Sequence, residues 1–281
     1  MNRLREISVR IGLLSLLGAA LSAGGCAKQP PISNTLSGLR LIVTMTYRGT
    51  INPNDYYYFV IGNFGDQDAE GPIPVLSPTL NGTYGNGFAT GNGGTAGFTD
   101  FVVYNTAQPN GYALYHVPGI TSSSTFTANT NASNFQYKGS PINYTYPDPT
   151  NPSTANQLQF EIDMSQLVYD ANGQPLTSET ETATTARAIR WLQVNMISTN
   201  LVPVDSNLEV DKQVDALGDS QTITGDTSFL ILDLTQHRTF RNSDYVGQSI
   251  YEPSEPDVYG IGGTSNASID LVDWSIQVEQ Q

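Results

Sequence analysis

Residues 39–48 alternate strictly: Leu39, Leu41, Val43, Met45 and Tyr47 interleave with Arg40, Ile42, Thr44, Thr46 and Arg48. Only an extended backbone sends successive side chains to opposite faces, so this period of two predicts a strand with one buried and one wetted face. Such a strand needs neighbours for its backbone hydrogen bonds and a second layer over its apolar row. Further strand candidates occupy residues 56–61, 101–104, 112–117, 158–162, 189–197, 229–234 and 268–278, separated by clusters of Asn, Gly, Pro and Asp. Short strands punctuated by turn residues predict an all-β chain: a single large antiparallel β-sandwich, jelly-roll-like or immunoglobulin-like, with long loops. In the last candidate the apolar positions Ile269 and Leu271 slip to Val272, Trp274, Ile276 and Val278, which predicts a β-bulge near Asp273. Helix content is predicted to be low, because the nearest candidate, residues 179–189, is crowded with Thr. Residues 71–97 and 121–155 read as long loops that either bind or are disordered.

The N-terminus carries a different signal. Arg3, Arg5 and Arg10 precede an apolar run from Ile11 to Leu21 and a small-residue stretch that ends at Cys26, the one cysteine of the chain. That is the layout of a secretory signal peptide; a membrane-crossing helix would need ~20 apolar residues. Ala23-Gly24-Gly25-Cys26 resembles the lipobox of bacterial lipoproteins in its last three positions, with Ala23 where Leu is commoner. The resemblance implies cleavage before Cys26 and lipid on its sulfur, and two or three acyl chains hold a protein to a membrane at ~0.8 kcal/mol per buried methylene. With Ala27 rather than Asp after the cysteine, it also implies the outer membrane or cell surface in a diderm host. The chain then divides into a signal peptide (1–25), a flexible tether (26–37) containing Gln29-Pro30-Pro31, and the sandwich domain (38–281).

Removing residues 1–25 leaves 9 basic and 25 acidic residues, a net charge near −16. Nucleic acid is thereby excluded as a partner, since phosphate binding relies on a basic surface, and broad docking onto anionic lipid is opposed. A lipidated Cys26 leaves no thiol for a disulfide, so packing must supply the stability. From Asp205 onward 14 acidic residues face Lys212, Arg238 and Arg241. That shift could mark a boundary, but so short a piece would be small for a free domain, and a single domain is favoured.

Chemistry is sparsely signalled. No Gly-x-Ser-x-Gly elbow occurs, only His116 and His237 are present, and no His or Cys cluster offers a zinc site. His116 alternates with Tyr112 and Leu114 as a packing residue would, and His237 follows a strand in a solvated loop. Glu161 and Asp163 share a strand face and read as solvent-facing partners of buried Leu158, Phe160 and Ile162 rather than as a glycosidase pair. The chain is read as noncatalytic. For an ion, Asp66-x-Asp68-x-Glu70-Gly71 resembles the first half of an EF-hand calcium loop, although the twelfth position is Ser77 and Pro72 and Pro74 interrupt it. Asp215, Asp219 and Asp226 form a second, weaker acidic set. For a glycan, Tyr84, Phe88, Tyr144, Tyr146 and Trp191 are aromatic candidates for stacking, the first four within the long loops.

Residues 56–61 running into Asp66-Gln67-Asp68-Ala69-Glu70-Gly71, then residues 157–167 and 190–195, are together similar to the DOMON and family-nine carbohydrate-binding sandwich group. This resemblance implies a sandwich that binds sugars or, in some members, haem. Axial haem ligands would have to come from His116, His237, Met45, Met164 and Met196, which no motif pairs. The function expected is a membrane-anchored binding module, glycan favoured, with a structural or assembly lipoprotein as the alternative and a calcium-stabilised accessory domain or degenerate glycosidase as a third reading.

Overall fold

A computed structural model describes residues 37–76, 87–92, 95–124, 134–202, 211–219 and 228–280. Cys26, Tyr84 and Asp226 lie outside them. The strand β1 (Leu39–Tyr47) shows the alternating burial its sequence demands, with Leu41 and Val43 fully buried and the intervening residues half-exposed. It is central to a five-stranded sheet ordered β13 (Thr239–Arg241), β14 (Leu271–Gln280), β1, β9 (Gln157–Asp163) and β8 (Asn143–Thr145). All pairs are antiparallel. Where Thr46 faces Asp273 and Tyr47 faces Leu271, the register shifts by one residue, which places a bulge at Val272–Asp273 as the slipped apolar pattern requires.

A second sheet runs β11 (Val214–Ala216), β10 (Trp191–Thr199), β2 (Tyr56–Gly62), β5 (Asp100–Tyr104), β6 (Tyr112–His116) and β7 (Gln136–Tyr137), and β12 (Leu230–Asp233) shares the outer edge of β10 with β11. The two sheets pack face to face as an all-β sandwich. Tyr47, Phe59, Leu114, Phe160, Leu192 and Trp274 are all buried in the core between them. The second sheet is also covered on its outer face, where Tyr58, Val60, Phe101 and Val103 meet Phe88, Phe98 and the hairpin β3 (Ile73–Pro74) and β4 (Ala89–Thr90). Lys212 ties that cover down: its buried ammonium donates to the carbonyls of Val75 and, at 2.6 Å, Gly87. Burial lowers the Lys212 pKa to about 7.

The Thr-rich segment is helical after all. Helix α1 (Glu179–Ala188) begins where Ser178 Oγ accepts from the Glu181 backbone N–H, carries Glu179 and Glu181 in its first turn and Arg187 in its last, and buries only Thr182 and Ala186. Capping and dipole complementarity outweigh the modest propensity of Thr. Residues beyond 205 supply strands to both sheets, and the described residues fall in one unit, Leu36–Gln281. Among the described residues no helix is long and apolar enough to cross a membrane.

Candidate metal centre

The outer edge of β10 is split between β12, paired at residues 191–194, and β11, paired at residues 197–199. Carboxylates gather at the β11 side of this break. Asp215 lies in the middle of β11, and the chain turns back at once through Gly218 to present Asp219. Gly218 has φ +81, and a Cβ there would stand 2.7 Å from the Ser228 backbone, so only glycine makes this turn. The loop before β14 delivers the remaining acids. Its Tyr259 exchanges both backbone hydrogen bonds with Val214, which seats Asp257 beside β11. Buried Asn242 brackets Glu252 through its backbone N–H and C=O at 2.8 and 2.7 Å, leaving that carboxyl to point inward. Asp270 precedes β14 and is fully buried.

Charge compensation is uneven. Arg48 forms a two-point pair with Asp270, at 2.6 and 3.1 Å, and so neutralises it. Asp215 accepts from the Leu271 N–H, and Asp219 from the Ala216 N–H at 3.1 Å, each through one oxygen. The second oxygens of Asp215 and Asp219, one oxygen of Glu252 and both of Asp257 are buried with no hydrogen-bond partner. Burial pushes the pKa of Asp215, Asp219 and Glu252 well above the usual carboxylate range, and nearby negative charge adds to it, from Asp219 on Asp215, Asp257 on Asp219 and Asp215 on Glu252. Asp257, also raised chiefly by burial and next by Asp270, is pushed up to about 6 against the pull of Arg48.

Oxygens of Asp215, Asp219 and Asp257 all lie within 4.8 Å of one another. Two oxygens on one calcium ion, at about 2.3–2.6 Å each, are at most about 5 Å apart, so these three can share a cation. The donors are all hard carboxylate oxygens, which suits calcium or magnesium rather than zinc or copper. The buried Asp triad can therefore hold a metal ion. No family model matches the chain, and no curated protein or solved structure matches it either.

The residues singled out from sequence fare differently. Asp66 and Asp68 are exposed and Glu70 is half-buried. Asp66 spends one oxygen on the Asp68 backbone N–H at 3.0 Å, the local turn expected of Asp, and the segment is fixed through its backbone, with Gln193 donating to the Asp66 carbonyl and Asn195 to that of Pro72. The weaker set of the sequence supplies Asp215 and Asp219, and the third member is Asp257, which spacing did not suggest. Phe88 is not a surface loop aromatic: it is buried in the outer core and stacks on Tyr58 at 4.1 Å. Tyr144 and Tyr146 are brought together, edge to face at 5.5 Å, with Tyr146 54% exposed. Trp191 is half-buried at the start of β10 with the Arg190 guanidinium over its ring. Met45, Met164 and Met196 are core residues, and His237 is exposed with φ +29.

Proposed function

We propose that this chain is an exported lipoprotein, anchored through lipid on Cys26 at the outer membrane or cell surface, whose sandwich is a noncatalytic glycan-binding module with calcium as a structural ion in the acidic chamber. The observation that carries the calcium assignment is the set of buried, unpartnered oxygens on Asp215, Asp219, Glu252 and Asp257. Leaving several charged groups buried without partners is costly, and a divalent cation offsets that cost without bringing a proton to each. Calcium is favoured over magnesium because carboxylates arriving from a strand, a turn and a loop suit flexible coordination better than a strict octahedron. A structural ion that holds the loop carrying Asp257 fits a module that presents loops.

Equilibrium dialysis of the metal-freed protein against calcium is the test. One ion per chain is expected, falling to none in Asp215→Asn combined with Asp257→Asn; an unchanged stoichiometry in that variant refutes the assignment. For the anchor, Cys26→Ala should move the protein from the membrane to the soluble fraction with its fold intact. An envelope-assembly role, with a protein partner, is the second reading. It is favoured by Tyr259 and Ile261, two large apolar residues exposed at 48% and 81% on the loop that follows Asp257.

A further inference from the structure

A cleft of about 500 Å³ opens at the end of the sandwich where β5 begins and β6 ends, walled on its other sides by residues 167–171 and by α1. Its volume falls within the range of about 300–1,000 Å³ typical of small-molecule sites. Sheet register places Asp100 directly opposite His116 in this cleft. Asp100 is buried and accepts from His116 Nδ1 at 2.9 Å, while its other oxygen accepts from Thr99 Oγ1 at 2.7 Å. An aspartate carboxylate only accepts, so Nδ1 carries the hydrogen, and Nε2 accepts in the neutral ring or donates in the charged one. Among the described residues Nε2 has no hydrogen-bond partner. The ring is held against Tyr169 at 4.1 Å, which fixes its orientation. An oriented imidazole with a second ring nitrogen to spare, lining a cleft, is more than a packing histidine needs.

We propose that this cleft is the ligand site of the sandwich and takes a neutral polyhydroxylated ligand, the terminal sugar of a glycan. The proposal rests on the glycan reading above and adds its location. Ile120, Val168 and Ile189 give the cleft an apolar wall, and the exposed Thr121 and Thr185 stand on its rim, the Thr121 hydroxyl joined to those of Ser123 and Ser124. A sugar ring has the matching character, with an apolar C–H face and hydroxyls that both donate and accept. Asp100 and the exposed Asp170 disfavour an anion. A quaternary or primary ammonium would want a free aromatic face, but the Tyr169 ring is already engaged by His116 and by the Lys138 ammonium 4.8 Å from its centroid.

The test is a printed array of neutral and acidic glycans, followed by titration of the best neutral binder into His116→Gln, into Thr121→Val combined with Thr185→Val, and into Tyr146→Ala. Binding to neutral glycans is expected, weakened at least tenfold by His116→Gln and several-fold by the rim pair, and unchanged by Tyr146→Ala. Thermal melts run alongside; if His116→Gln fails to fold, the exposed rim pair decides. Neutral binding that survives both cleft variants and is lost in Tyr146→Ala overturns the location while the glycan reading stands. Binding of acidic glycans alone overturns the ligand class. Binding of none overturns the glycan reading, and this proposal with it.

Discussion

The turn at Asp66–Glu70 and the chamber around Asp215 both collect carboxylates, yet they share almost nothing physically. The turn draws its acids from adjacent positions, and Asp66 and Asp68 are exposed to water that solvates them. The chamber draws Asp215, Asp219, Glu252, Asp257 and Asp270 from a strand, a turn and a long loop, and buries most of them with oxygens unpaired. Contiguity in sequence therefore identified the group that water already satisfies. The group that needs a partner was assembled by topology, because β11 and the start of β14 converge at one edge of the sandwich.

The sharpest way to break this contrast is Arg48→Ala, which strips the cation from the fully buried carboxylate of Asp270. Leaving a buried group without its partner costs about 1–3 kcal/mol, and more when it is charged, so urea denaturation of the metal-freed protein should show a loss of at least that order. A loss under 1 kcal/mol would mean that the chamber is wetter than its burial implies.

Calcium at about a hundred times its Kd should stabilise the protein by about 2.7 kcal/mol in scanning calorimetry. Asp215→Asn with Asp257→Asn should abolish this gain, and in EGTA that same variant should melt above the wild type because two mutually repelling groups are gone. Asp66→Asn with Asp68→Asn should keep the full gain; if it is lost there instead, the two regions have exchanged roles.

Without metal, the chamber should also make stability fall as pH rises. Asp215, Asp219, Glu252 and Asp257 have folded pKa values raised above those of the unfolded chain, so their contribution is complete below about pH 4 and is lost as pH climbs through the folded values, that of Asp257 being about 6. Each proton released contributes a slope of about 1.4 kcal/mol per pH unit. Melting in EGTA from pH 4 to pH 8 measures it, and a flat profile would show that the carboxyls are already paired. The smallest effect belongs to the surface turn, where Asp66→Ala and Asp68→Ala should each stay within about 0.5 kcal/mol of wild type in the same denaturation assay.

The same division governs what was legible in the sequence. β1 and β14 alternate in sequence because the outer face of their sheet meets water, and even the bulge at Val272–Asp273 could be read from the slip in apolar positions. β2 and β5 are apolar or aromatic at nearly every position, and β10 is buried at all but its first, because both faces of their sheet are covered. Their existence was readable, but not which face met which layer, since that depends on the β3–β4 hairpin and its Lys212 clasp. Helix α1 is signalled by the Ser178-x-x-Glu181 cap in front of it, whereas its Thr-rich interior speaks against a helix. Within the chamber, the set Asp215, Asp219 and Asp226 pointed to two of the acids, but nothing in the spacing pointed to Glu252, Asp257 or Asp270. His116 was read as packing because its place on β6 was visible and its partner Asp100, one strand away, was not.

The place of β1 in its sheet has a kinetic consequence. The first strand of the described chain is flanked by the last, and the Arg40–Glu279 pair that joins them spans 239 residues. A fold closed by contacts this distant in sequence has high contact order, and its central sheet cannot complete until the C-terminal residues are free to pair. Synthesis and any passage through a narrow pore proceed from the N-terminus, so the apolar row of β1 emerges well before β14 and must wait for it. A chain halted before residue 271 could still pair β1 with β9 but would leave the edge that β14 covers open as a template for aggregation.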